Sequence, residues 1–275
     1  MASILMRALV CVFLIPTLTA ASSSGTFEID LIFPRNGTWA PADAMPIVFA
    51  IQRPDLAPSL AVDIISWTLQ QRGTQNRQTG DVVLLGFEGS SNKTYFVQRA
   101  VSNTSNIEGT WYFSWEFLAG NCTSSTNPRY SSYADPSSFV YTSHGSISEF
   151  STSRSAPSAN WTSLTSAQSC SGSDGIAFAV NDVLQVSKYS GWRGFNASCA
   201  VYGPTKTTPN PCAVTIDAAA ASSVSAGLKY QACLNEVDVT EIGKCPRPTM
   251  PSSGNHMLVS WPLVAIIVVI SFAIL

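Results

Sequence analysis

The chain has 275 residues, with 15 Lys and Arg against 17 Asp and Glu and only 12% charged residues overall. No basic stripe runs through it, which argues against nucleic acid or an anionic lipid surface as a direct partner. Its positive mean hydropathy comes from the two ends, so the stretch between them has an ordinary soluble composition.

The N-terminus carries one charge, Arg7, followed by an apolar run from Ala8 to Ile15 and the small residues Thr19-Ala20-Ala21. A charged lead, a short apolar core and a small-residue exit form a secretory signal peptide, here residues 1–21. The run is too short to span a bilayer.

Phe27, Ile29, Leu31 and Phe33 then alternate with Glu28 and Asp30, which predicts a half-buried strand ending at Pro34. Arg35-Asn36-Gly37-Thr38 reads as a turn, and Ile47 to Ile51 as a short central strand between Pro46 and Pro54. Ile65, Trp67 and Leu69 share one face of a further strand. Val82 to Phe87 and Tyr95 to Val101 follow. After Gly109, the residues Trp111, Phe113, Trp115 and Phe117 form an aromatic row on one face, expected to pack against a second sheet.

From Cys122 to Ser173 the chain is rich in Ser and Thr, with Pro128, Pro136 and Pro157 spread through it. This predicts long irregular loops with short strands such as Phe139 to Thr142. Alternation resumes at Ile176, Phe178 and Val180, followed by short strands at Val183 to Val186 and Ala200 to Tyr202. One helix is expected at about 217–233, with Asp217 as N-cap and Ala220, Val224 and Leu228 on one face. Many short strands with Gly, Pro and Asn punctuation, and one helix, predict an antiparallel Ig-like β-sandwich.

Seven cysteines become six once Cys11 is assigned to the signal peptide: Cys122, Cys170, Cys199, Cys212, Cys233 and Cys245. An even number in an oxidising compartment implies three disulfides. The helix argues against joining Cys212 to Cys233, because it would separate them by about 24 Å. Neighbour pairing is the expectation: Cys122 with Cys170, Cys199 with Cys212, and Cys233 with Cys245. Six Asn-x-Ser/Thr sequons, at Asn36, Asn92, Asn103, Asn121, Asn160 and Asn196, imply a surface-glycosylated protein.

The C-terminal part runs from a Pro/Ser-rich stalk at 246–253 into an uncharged tail, Leu258 to Leu275. Small residues ahead of a terminal apolar tail form a glycosylphosphatidylinositol (GPI) attachment signal. The expected attachment residue is Ser253, with Ser252, Gly254 and Asn255 as neighbours, and 254–275 as the discarded propeptide. That leaves 22–245 as the ectodomain, tethered to the outer leaflet.

Chemistry is harder to place. A Ser-His-Asp hydrolase would have to use His144, since His256 falls in the tail, and Tyr141 to Ser146 reads as a surface turn. No Gly-x-Ser-x-Gly elbow and no phosphate-cradling glycine loop occur. One histidine and paired cysteines leave neither a metal set nor a thiol nucleophile. No catalytic residue, metal or cofactor is therefore assigned. A glycosidase needs two carboxylates about 5–10 Å apart. Glu28 and Asp30 share a face, but the face opposite the apolar one, where solvated charges belong, and Glu116 alternates away from the aromatic row. Trp39, Trp161 and Trp192 lie in turn contexts and are candidates for contact with a sugar ring.

The segment from Phe27 to Thr38, followed by Pro46-Ile47-Val48-Phe49-Ala50-Ile51-Gln52, resembles the opening of a family of secreted fungal proteins known only as a domain of unknown function. The Asp217-Ala-rich segment is similar too. The resemblance implies a GPI-anchored protein of the plasma membrane or cell wall and brings no site residues with it. The expected function is a non-enzymatic structural, adhesive or glycan-binding role, with cell-wall polysaccharide as a partner. A carboxylate-dependent wall polysaccharide enzyme is the alternative.

Overall fold

The computed structural model describes residues 24–84, 94–102, 107–122, 140–185, 198–236 and 244–246. The expected signal peptide (1–21) and the expected GPI signal, with Ser253, lie outside them. The strands are β1 (Gly25–Phe33), β2 (Thr38–Trp39), β3 (Ala44–Gln52), β4 (Ile64–Gln71), β5 (Arg77–Val83), β6 (Tyr95–Ser102), β7 (Gly109–Asn121), β8 (Val140–Thr152), β9 (Asp174–Gln185) and β10 (Ser198–Tyr202). Two helices, α1 (Trp161–Leu164) and α2 (Ala218–Glu236), complete the described elements together with three 3-10 turns.

Two five-stranded sheets face each other. The front sheet has the order β10-β9-β1-β3-β6 and the back sheet β2-β8-β7-β4-β5. Neighbouring strands are antiparallel, apart from the short parallel pair β2–β8. The expected sandwich is the fold. Its core is the predicted aromatic row: Trp111, Phe113, Trp115 and Phe117 are all at most 3% exposed. From the front sheet, Phe49 meets Trp115 edge-on at 5.2 Å and lies 6.5 Å from Phe113. Each such ring contributes on the order of 2–3 kcal/mol through burial.

The front sheet is covered on its other face as well. Helix α2 packs along β6 and seals that edge. Gln231 accepts from the Ala100 amide and donates to the Gln98 carbonyl, and Asn235 donates to the Ala100 carbonyl. Gly227 sits where any Cβ would collide with the Gln98 side chain, which accounts for a glycine inside this helix. Its start is as the sequence predicts, with the Asp217 carboxylate accepting from the Ala220 amide at 2.8 Å. The segment 203–217, between β10 and α2, crosses the rest of this outer face.

Three features differ from the sequence reading. The first is β8, a 13-residue strand paired along its length with β7, where irregular loops were expected. Its inward residues are His144, Ser146 and Ser148, then the buried Phe150 and Thr152, while Ile147 points outward at 72% exposure, so the apolar alternation is inverted over 144–148 and ordinary at Phe150. The second is β9, one continuous strand through Val183 instead of two. The third is the disulfide pattern: Cys122–Cys199 and Cys170–Cys212 replace two of the expected neighbour pairs, and Cys233–Cys245 forms as predicted.

The physical reason is placement. Cys122 follows β7 and Cys199 lies in β10, at a corner where the sheets join. There the Cys122 amide donates to the Ala200 carbonyl, the Ala200 amide to Ser59, and the Tyr202 amide to the Asn121 side chain. Cys170 meets Cys212 because the 203–217 crossing runs back over it. Loop-closure entropy scales with the enclosed length, 77 residues for Cys122–Cys199 and 12 for Cys233–Cys245. Replacing the first pair by Ala should lower the unfolding free energy by about 4 kcal/mol and the second by about 3 kcal/mol, measured by urea titration.

Candidate functional site

Where β8 faces β9 and the 203–217 crossing folds over, the sandwich leaves a cleft of about 610 Å³. Its lining includes His144, Phe178, Tyr202, Pro204, Lys206 and Pro209. The rings are arranged as a floor. Phe178 lies 5.1 Å from Tyr202 in a tilted stack and 4.7 Å from His144 edge-on, and Phe117 supports it from the core at 6.0 Å. The alternation of β9 turns Phe178 inward, opposite Phe27 of β1.

Two polar atoms in this cleft, His144 Nε2 and the Tyr202 hydroxyl, are buried without a hydrogen-bond partner among the described residues. A buried polar group left unbonded costs about 1–3 kcal/mol, so such groups mark places where water or a ligand completes the bonding. Burial pushes the His144 imidazole below its ordinary pKa and the Tyr202 phenol well above its own. His144 is therefore neutral at pH 7, able to accept at Nε2, and Tyr202 keeps its donor proton. The sequence reading placed His144 in a surface turn; the β8 pairing carries it to the cleft instead.

Beside the cleft, under the crossing, lies a second polar cluster. Glu28 and Asp30 are 3% and 0% exposed, which overturns the expectation of solvated charges on an outer face. Their strand face is outer with respect to the sandwich, but the crossing covers it. Glu28 Oε1 accepts from the Asn210 amide at 2.6 Å and Asp30 Oδ2 from Gln52 Nε2 at 2.9 Å. Gln52 Nε2 also lies 3.3 Å from the Asn210 carbonyl. Asp30 Oδ1 has no donor, and the Glu28 carboxyl is close by: a Cβ on Gly175 would lie 2.6 Å from Asp30 Oδ1 and 3.6 Å from Glu28 Oε1. Burial, then the bond to Glu28 and its charge, push the Asp30 carboxyl up to about 8, against the opposing bond from Gln52. Gly175 makes room for this pair: a Cβ there would stand 2.6 Å from Asp30 Oδ1 and 2.9 Å from Pro209.

The other sequence-derived positions are spread over the molecule. Asn36 and Asn160 are exposed; the Asn160 side chain caps α1 by accepting from the Ser163 amide. Asn121 is half-buried and its Oδ1 is bound by the Tyr202 amide. Asn92, Asn103, Asn196 and Trp192 lie outside the described residues. Trp39 and Trp161 come together on either side of Phe33, at 5.4 and 6.0 Å. Both are half-buried, with indole N–H groups bound by the Arg35 carbonyl and the Ser225 hydroxyl. Glu116 is exposed on the back sheet, as expected, and accepts from Ser143. Sequence reasoning passed over Phe178 and Tyr202 as ordinary strand residues.

Residues 22–242 match the family model described as "Domain of unknown function (DUF7136)", and the chain belongs to that family. No curated protein matches the sequence.

Protonation of His144 has a definite sign. Its folded pKa lies below the unfolded value near 6.5, so the unfolded chain binds the extra proton first and stability falls as pH drops below about 6.5. His144→Phe keeps a ring against Phe178 and removes this titration. Urea unfolding at pH 7.5 and pH 5 should therefore show the wild type losing stability relative to the variant in acid.

Proposed function

We propose that the protein is a non-enzymatic, GPI-anchored glycoprotein of the cell surface that binds a glycan of the cell wall in the cleft of Phe178, Tyr202 and His144. The observation that carries this reading is the pairing of an apolar ring floor with two unbonded polar atoms. A sugar offers the same combination, a face of C–H groups and a rim of hydroxyls. Both atoms are shut off from solvent in this state, so small rotations of the His144 and Tyr202 rings would bring Nε2 and the phenol to the sugar hydroxyls. Phe178 and Tyr202 serve this role better than Trp39 and Trp161, whose indole N–H groups are already bound. The surface address rests on the signal peptide, the six sequons and the small-residue and apolar tail.

Binding of β-glucan, chitin and mannan oligosaccharides, followed by calorimetry alongside reducing-end release, tests the site. One of them should bind without turnover, and Tyr202→Phe should weaken it about three- to tenfold, the value of one hydrogen bond. Affinity unchanged in Tyr202→Phe and in His144→Phe removes the cleft from consideration.

The enzyme alternative has one described pair in its favour. Asp81 and Glu116 flank Ser66 in one row across the back sheet and line a common open groove. Two strand spacings separate their backbones by roughly 10 Å, near the range of an inverting glycosidase. Turnover abolished by Glu116→Gln would establish that alternative in place of simple binding.

The anchor is tested separately. Phosphatidylinositol-specific phospholipase should release the protein from intact membranes, with the 254–275 tail missing from the released form. Retention of that tail rules the anchor out.

A further inference from the structure

The 203–217 crossing forms one wall of the cleft through Pro204, Lys206 and Pro209. It is fixed at its start by the Gly203 amide, which donates to the Ala179 carbonyl at 2.7 Å, and beyond its middle by Cys212–Cys170. Between those points, its described bonds to the sheets are those of Asn210: its amide on Glu28 and its carbonyl against Gln52. The cleft wall is thus a strap held down where it meets the Glu28–Asp30 pair.

We propose that Glu28 and Asp30 share a single proton and that this proton latches the strap, so that the cleft wall is closed in acid and loosens as pH rises. With one proton the pair carries one negative charge, and the Asn210 amide and Gln52 are sufficient donors. Without it, two neighbouring carboxylates at 3% and 0% exposure would both be charged with only the Asn210 amide and Gln52 as donors, and the nearest relief is for Pro209 and Asn210 to lift and admit solvent.

The surroundings contain no compensating cation among the described residues. The pair is faced by Ala50 and Gln52 from β3, Gly175 and Ala177 from β9, and Pro209 and Asn210 from the strap. Arg53 at the end of β3 is held by Asp55 at 2.8 Å and by the Ser24 carbonyl. Asp174 of β9 accepts from Ser146 on the back sheet. Lys206 and His144 stand at the cleft, and His144 titrates with the opposite sign.

The sign follows from where the proton is held more tightly. The closed pair keeps it up to about pH 8, whereas an open, hydrated Asp releases it near pH 4. Between those limits opening liberates a proton, so the opening constant rises about tenfold per pH unit and levels off above about pH 8.

Hydrogen exchange of the full chain with its disulfides intact, followed over the peptide containing the Asn210 amide and corrected for the intrinsic rate, reads this directly. Protection should fall about tenfold per pH unit from pH 5 to pH 8. In Asp30→Asn, whose amide donates to Glu28 without titrating, protection should be independent of pH. Glu28→Gln keeps the buried, titratable Asp30 and should retain a slope. A flat wild-type profile overturns the latch, as does a wild-type slope that persists in Asp30→Asn. If Asp30→Asn does not fold, the wild-type profile alone decides. The measurement reads the strap and not a ligand, so failure of the latch and failure of the glycan reading remain distinguishable.

Discussion

The central strands β1 and β3 of the front sheet are buried on both faces, and most of the molecule's particular features follow from that constraint. On the inner side β1 and β3 meet the Trp111–Phe117 row. On the outer side they lie beneath α2 and the 203–217 crossing. In an ordinary two-layer sandwich the outward residues of a strand face water and can be polar without consequence. Here each outward polar group must find its partner inside the protein, because burying it unbonded costs about 1–3 kcal/mol. Gln98 and Gln231 meet that demand at the helix, and Glu28, Asp30, Gln52 and the Asn210 backbone meet it under the crossing. The small residues Ala50, Gly175 and Ala177 beside the carboxyls let the crossing come down far enough to seal them.

The long-range disulfides belong to the same design. Cys122–Cys199 closes the corner where β7 of one sheet meets β10 of the other, and Cys170–Cys212 pins the crossing to the segment after α1. Neighbour pairing minimises the loop that must be closed, but closure entropy changes slowly with loop length. Proximity in the folded sandwich outweighs it. The cleft lies between these two fastenings, so its aromatic floor is rigid while its strap-like wall is held mainly by polar contacts.

Membership of a family defined only as a domain of unknown function supplies no residue roles. One sandwich architecture serves many unrelated activities, so function resides in the site. What marks this site is local: the rings of His144 and Tyr202 pack on Phe178 and carry two of the buried polar atoms without partners among the described residues, on the side where β8 turns hydroxyls and an imidazole inward.

What could be read directly from the sequence were the features set by near neighbours in the chain. Period-two alternation from Phe27 to Phe33 and from Trp111 to Phe117 marked strands and the core face, and Asp217 marked the start of α2. These are local rules of backbone geometry, and they determined the sandwich with its one long helix. Tertiary structure alone decided the rest. Asn210 covers Glu28 across 182 positions of the chain, converting an apparently solvated carboxylate pair into a buried one. The same long-range crossing selected Cys212 as the partner of Cys170 and built the cleft wall. His144 and β8 were hidden for a related reason: a strand that faces a cleft need not be apolar on its inward side, so alternation has nothing to report. Burial is a property of what lies opposite a residue, and no local pattern in this chain encodes that.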